Sequence, residues 1–227
     1  YEVISALALL APASLLIQGG TIIDGGGKPR FQADIRIVGQ TIVGIGQLKR
    51  NVNDQVIPAK GLIVAPGFID AHSHADFGIE KEPIAQSQIS QGITTAVVGQ
   101  DGIWQEPVAD LFTRLAKAKP ALNFAAFSGH GGIMKRAMGD DFKRTPTTPE
   151  MAQMEALVRA DMHAGAIGLS TGLEYDPGYY ARTEDLVDLA KISAQFGGMY
   201  ISHVRDEGNV AFRAFDELLN IGKQAGS

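Results

Sequence analysis

Hydrophobic and polar positions follow two different rhythms along the chain, and the rhythm changes near residue 64. Before that point, apolar and mostly β-branched runs cover 15–18 (Leu-Leu-Ile-Gln), 21–24 (Thr-Ile-Ile-Asp), 34–38 (Asp-Ile-Arg-Ile-Val) and 41–45 (Thr-Ile-Val-Gly-Ile). Short runs of this kind predict strands. Glycines at 19–20, 25–27 and 39 punctuate them, which predicts turns, because glycine enters left-handed backbone conformations at little cost. Residues 15–64 therefore read as a small antiparallel sheet module.

After residue 64 short, continuously apolar runs alternate with helical periodicity. The runs at 64–71, 93–98, 122–127, 166–170 and 199–203 predict strands of a parallel sheet buried on both faces. Between them, Val108, Leu111, Phe112 and Leu115 fall at helical spacing in a segment from Pro107 to Lys117. Thr148 followed by Pro149 predicts a helix start, with Gly165 past its end. A third helix starts at Thr183, with Leu186, Leu189 and Phe196 on one side and Gly197 after it, and a fourth runs from Asn209 to about Gln224. Met151, Met154 and Met162 read as ordinary helix core. This makes five βα units, which fit either a complete doubly wound sheet or the beginning of a (β/α)8 barrel, whose eight units need about 250 residues.

Composition narrows the function classes. The 227 residues are 45% hydrophobic and 20% charged with a net charge of −5, which allows a large core and gives no basic footprint for nucleic acid. No apolar run reaches the roughly 18 residues of a membrane span. Cysteine is absent, so disulfides and thiol nucleophiles are excluded, and a metal would have to be held by His, Asp, Glu or a modified Lys. Residues 1–14 start at Tyr1 and hold the run Ala-Leu-Ala-Leu-Leu-Ala-Pro-Ala, which resembles the apolar part of an export signal without its basic segment. A strand or helix packed on the domain is the alternative. Localisation accordingly stands between cytoplasmic and exported or periplasmic.

The chemistry-bearing residues gather at the ends of the expected strands, where parallel α/β proteins place their sites. His72 and His74 end the first strand in Phe-Ile-Asp-Ala-His-Ser-His; side chains two apart on a strand point the same way, so both imidazoles can reach one cation. His203 ends the fifth strand. Asp101 follows the second strand, and Glu174, Tyr175, Asp176 and Tyr179 follow the fourth. Asp101 or Glu174 can ligate or bridge metal; either can equally be a cap or turn acid. In Ser128-Gly-His-Gly-Gly132, His130 either orients substrate or simply packs, and the spacing is not that of a phosphate loop. Arg205 can receive a substrate carboxylate, or pair with Glu207. His163 reads as a surface or helix-end residue.

Taken together, five segments carry a resemblance: Gly67-Phe-Ile-Asp-Ala-His-Ser-His, Gly92-Ile-Thr-Thr-Ala-Val-Val-Gly, Ser128-Gly-His-Gly, Gly168-Leu-Ser-Thr-Gly-Leu-Glu-Tyr and Ser202-His-Val-Arg-Asp-Glu. With the N-terminal strands, the chain over roughly 15–215 resembles the amidohydrolase superfamily, and within it the D-aminoacylase (N-acyl-D-amino-acid deacylase) family. The resemblance implies a metal-dependent (β/α)8 TIM barrel, of which residues 65–227 would form the first five βα units, and a small β-sandwich begun by residues 15–64. It implies zinc, as one or two ions or another divalent metal, on His72, His74 and His203, and Tyr175 in the substrate pocket. It implies hydrolysis of an amide bond in N-acyl-D-amino acids or peptide-like substrates, with cyclic amidase or dipeptidase activity, or a non-catalytic assembly role, as alternatives.

Two departures from that family's pattern stand out, one in the ligand set and one in truncation of the barrel. Asp101 occupies the position of the family's metal-ligating cysteine; many other amidohydrolases use a carboxylated lysine at the end of the fourth strand, where this chain has no lysine but has Glu174. Glu174 or Asp101 is thus expected to supply the bridging carboxylate. The family's sixth-strand histidine and eighth-strand general-base aspartate are expected beyond Ser227, in a further segment or a second chain that completes the barrel.

Overall fold

The computed structural model describes residues 14–103 and 106–227. Except for Ser14, the expected export-signal segment 1–14 lies outside them. The chain divides into two compact units between Pro66 and Gly67.

The first unit is one sheet of β1 (Ser14–Ile22), β2 (Phe31–Val38), β3 (Thr41–Gly46), β4 (Asp54–Pro58) and β5 (Ile63–Val64). Its order is β3-β2-β1-β4, with β5 also paired to β1. β2 runs antiparallel to β1 and β3, as the short spacings predicted, but β4 and β5 run parallel to β1, so the sheet is mixed rather than antiparallel. The expected turn at Gly19-Gly20 is instead a bulge inside a single nine-residue strand, where pairing slips from Ile17↔Ile35 to Gly20↔Ala33. Gly19 takes φ +74 there. Its N–H donates to the Asp34 carboxylate at 2.7 Å, which satisfies a donor that the ladder loses. A Cβ on Gly20 would stand 2.6 Å from Val64 Cγ2, so the parallel pairing of β5 requires glycine at that position.

The sheet is tied down at its far end by Asp54. Its carboxylate accepts from Arg36 Nη2 at 2.7 Å, from the Ser14 hydroxyl, and from the Asn51 N–H at 2.7 Å. The Arg36 guanidinium, helped by Ser14 and Asn51, holds this carboxyl well below the ordinary carboxylate range.

The second unit alternates strands and helices: β6 (Phe68–Asp70), α1 (Gln86–Ile89), β7 (Ile93–Val98), α2 (Val108–Ala118), β8 (Asn123–Ala126), β9 (Ser128–Gly129), α3 (His130–Met138), α4 (Thr148–His163), β10 (Gly168–Gly172), α5 (Thr183–Gln195), β11 (Met199–His203) and α6 (Ala211–Ala225). All strand pairs are parallel, in the orders β6-β7-β8 and β9-β10-β11. The third expected strand, 122–127, forms β8, and the short β9 follows it after Phe127; β8 pairs with β7 and β9 with β10. The Ile167 N–H donates to Ala126 O at 2.9 Å and the Phe127 N–H to Val98 O at 2.9 Å, so the two groups of strands continue into one another. The fold is α/β with parallel sheets, and β6 and β11 carry unpaired outer edges among the described residues.

The helices α2, α4, α5 and α6 form where the pattern placed them. In α2, Val108, Leu111 and Leu115 turn inward. Thr147, one residue before the expected start, caps α4 in a capping box with Glu150, and Pro149 sits in the first turn. The sequence reading missed α3, because Gly131-Gly132 is poor helix-forming sequence. The helix is held by burial of Ile133 and Met134 against a core that includes Val98, Leu111, Met154, Val158, Leu169 and Leu189. Each such fully buried aliphatic side chain stabilises the fold by about 1.5–3 kcal/mol relative to exposure.

Candidate metal centre

Four strand ends supply the site. β6 leads into Ser73, whose N–H donates to Val97 O at 2.9 Å, which fixes the loop that presents His72 and His74 beside the end of β7. β6 stops at Asp70, so His72 and His74 stand in the loop after the expected strand rather than at its end; Ser73 is buried between the two exposed imidazoles.

Asp101 sits in a 3-10 turn, Gln100–Gly102, directly after β7. Its φ is 57, a left-handed conformation that aspartate tolerates better than most side chains, flanked by Gly99 at 74 and Gly102 at 63. Two interactions hold this strained turn. The buried Gln100 side chain donates to Ala71 O at 3.0 Å and Val97 O at 3.2 Å, tying the ends of β6 and β7 together. The Ser170 hydroxyl of β10 donates to Gly99 O and accepts from the Gly102 N–H.

The outcome is that Asp101 Oδ2 lies 3.3 Å from His72 Nε2 and 3.2 Å from His74 Nε2. Asp101 Oδ1 is buried with no hydrogen-bond partner. His203, the last residue of β11, forms a second group. Its Nε2 lies 2.9 Å from Glu174 Oε2 and 3.3 Å from Glu207 Oε1, and its Nδ1 lies 4.0 Å from Asp101 Oδ1. The Tyr175 hydroxyl is 3.0 Å from the same imidazole. Burial, then the negative charges of Asp101, Glu174 and Glu207, raise the Tyr175 phenol above its usual value, so it remains a hydrogen-bond donor at neutral pH.

In each of the triads His72/His74/Asp101 and Glu174/His203/Glu207, one ligand atom per residue lies within 4.8 Å of the others. Imidazole and carboxylate donors suit zinc and related divalent ions. The buried, unpartnered Asp101 Oδ1 points to the same conclusion, since an isolated buried carboxylate oxygen is costly unless a cation or donor meets it. The residues present thus fit a divalent metal.

The other expected site residues are placed differently. Arg205 does not pair with Glu207. Its guanidinium donates to Glu217 at 2.9 and 2.8 Å and to the carbonyls of Tyr179 and Ala181, so it braces α6 against the loop before α5 rather than presenting a cation for substrate. Burial pushes the Glu217 carboxyl up, but Arg205 and Thr183 outweigh it and hold the group below its ordinary value. His130 is completely enclosed in the first turn of α3, and burial pushes its imidazole down to about 4, which leaves it neutral. It packs within the fold and is not part of either triad. His163 ends α4 with its ring 4.8 Å edge-on from Phe196.

Glu207 is the site residue that sequence reasoning used only as a partner for Arg205. It reaches His203 because the chain turns back after β11, where Asp206 Oδ1 accepts from the N–H groups of Gly208 and Val210 at 2.9 Å each. The Asp-x-Gly spacing was the available signal for that turn.

A cavity of about 240 Å³ opens beside the centre, walled by Asp101, Tyr175, Ile103, Lys135, Phe142 and Pro177 among others.

Residues 55–208 match the model of the Amidohydrolase family. The chain is 38% identical over 234 aligned positions to the N-acyl-D-glutamate deacylase of Alcaligenes xylosoxydans xylosoxydans, covering 93% of this chain and 48% of that protein. Among solved structures it is similar to an N-acyl-D-glutamate deacylase from Bordetella bronchiseptica complexed with zinc and a phosphonate inhibitor, with a TM-score of 0.90 and 35% identity over 95% of this chain and 50% of that one. It is also similar to a D-aminoacylase with a binuclear metal center, with a TM-score of 0.89 and 32% identity over 95% of this chain and 50% of that one. The chain spans about half the length of these relatives.

Proposed function

We propose that this chain, which belongs to the amidohydrolase family, carries the metal-binding portion of a zinc-dependent hydrolase that cleaves the amide bond of N-acyl-D-amino acids. The observation that carries this reading is the Asp101 carboxylate held between His72 and His74 with its second oxygen buried and unpartnered. The similarity to the two N-acyl-D-glutamate deacylases supports the substrate class.

In this reading His72, His74 and Asp101 hold one ion. His203, with Glu174 and Glu207, offers a second set of donors beside it. When bound, zinc lowers the pKa of a coordinated water towards neutrality and polarises a carbonyl. The chain's own residues then prepare the substrate. The neutral Tyr175 phenol donates a hydrogen bond to substrate oxygen at the centre, and Gln100 and Ser170 keep the Asp101 turn from shifting as it does so.

The architecture that accompanies this reading is a closed (β/α)8 barrel flanked by a small β-sandwich. The parallel order of β6 to β11, and relatives about twice as long, support it. Further strands would close on the outer edges of β6 and β11, contributed by a further segment or a second chain.

The test is a stereochemical assay of the full-length protein on paired N-acetyl-D- and N-acetyl-L-amino acids. Release of the free D-amino acid with little release of the L-form is the expected result. Turnover of cyclic amides with no release from N-acetyl-D-amino acids would reassign the protein to a cyclic amidase.

A further inference from the structure

The cavity beside the metal centre touches Asp101 and Tyr175 and extends to Ile103, Lys135, Phe142 and Pro177. Much of its wall is bare backbone. A Cβ on Gly131 would lie 2.7 Å from Gly102 O, one on Gly172 2.1 Å from Asp101 O, and one on Gly178 2.2 Å from Gly172 O. These glycines bring the Asp101 turn, the start of α3 and the loop after β10 into close packing beside the cavity.

The chemistry of the walls is apolar. Phe142 is buried, and Ile103 and Pro177 add aliphatic surface. Among the described residues that line the cavity, Lys135 is the one cation, and its ammonium is already engaged. It donates to Asp140 at 2.6 Å and lies 4.7 Å from the centre of the Phe142 ring, which leaves its aliphatic stem for the cavity. The two other charged residues that line it, Asp101 and Asp176, are carboxylates.

We propose that this cavity is the subsite for the acyl group of the substrate, an inference that rests on the deacylase reading above. An N-acyl amino acid has two ends. The amine half always carries a carboxylate, which an apolar cavity disfavours by desolvation. The acyl half carries no obligatory charge. An apolar cavity of about 150 Å³ accepts a benzene-sized guest; this one, at about 240 Å³, holds an acyl chain or ring several carbons long. Its contact with Asp101 and Tyr175 places such a group next to the carbonyl carbon to which it is bonded. Ile103, half exposed and outside both metal triads, lines the cavity.

The experiment measures kcat/KM of the full-length protein on acetyl, butanoyl, hexanoyl and phenylacetyl derivatives of one D-amino acid, for the wild type, Ile103→Trp and Ile103→Ala. Ratios within each protein cancel any loss of folded enzyme. The hexanoyl-to-acetyl ratio is expected to fall by about tenfold or more in Ile103→Trp, the size of effect that one or two methylenes have in an apolar pocket. In Ile103→Ala the phenylacetyl-to-acetyl ratio is expected to rise. If both ratios stay at wild-type values, the acyl assignment is overturned while the deacylase reading stands. If the wild type releases no D-amino acid from any of the four, the deacylase reading fails and the subsite with it.

Discussion

Asp101 Oδ2 and His74 Nε2 lie 3.2 Å apart although 27 residues separate them in sequence. The contact is made by two loops that leave adjacent parallel strands, β6 and β7, and the buried Gln100 side chain joins the ends of those strands. The centre thus depends on a residue that takes no part in either triad.

Gln100→Ala should show this dependence. It removes two hydrogen bonds and leaves the carbonyls of Ala71 and Val97 without that donor, which costs about 1–3 kcal/mol. Denaturant unfolding measures the stability loss, and a metal titration of the same variant should show weakened binding. Unchanged metal affinity would mean that the Asp101 turn holds its shape without Gln100.

Core packing gives an independent check on the parallel sheets. Leu169, fully buried in β10, should cost about 2–5 kcal/mol when truncated to Ala, through lost burial and the cavity left behind. A solvent-exposed position such as Val52 should cost far less on the same substitution. Equal effects in thermal unfolding would contradict the placement of the core.

The N-terminal sheet should lose stability in acid through Asp54. Its folded pKa lies below its unfolded value, so its contribution is fully present above the ordinary carboxylate value near 3.8 and is lost as pH falls towards the folded pKa. Unfolding of the wild type and of Asp54→Asn, compared between neutral pH and strong acid, should show a stability difference that is constant above about pH 5 and shrinks below it. A difference that grows on acidification would have the wrong sign for this account.

Much of the site was legible in sequence because its residues follow the carboxyl ends of parallel strands. His72 and His74 stand in the loop after β6, and His203 lies at the same edge because it ends a parallel strand. Features that depend on tertiary pairing were not legible in this way. Gly19-Gly20 reads as a turn until the parallel strand β5 shows why a continuous strand needs glycine there. The partner of Arg205 is Glu217, twelve residues on in α6, which no local pattern selects. Likewise α3 follows from burial of Ile133 and Met134, against the poor propensity of its first turn.

The central claim is that His72, His74 and Asp101 hold a metal ion. Mass-spectrometric metal content of the purified full-length protein, set against a His72→Ala/His74→Ala double variant and Asp101→Ala, tests it most directly. The account predicts stoichiometric zinc, or another divalent ion, in the wild type and a clear loss in both variants that retain wild-type circular dichroism. Equal metal content in all three folded proteins, or no metal in the wild type, would contradict it.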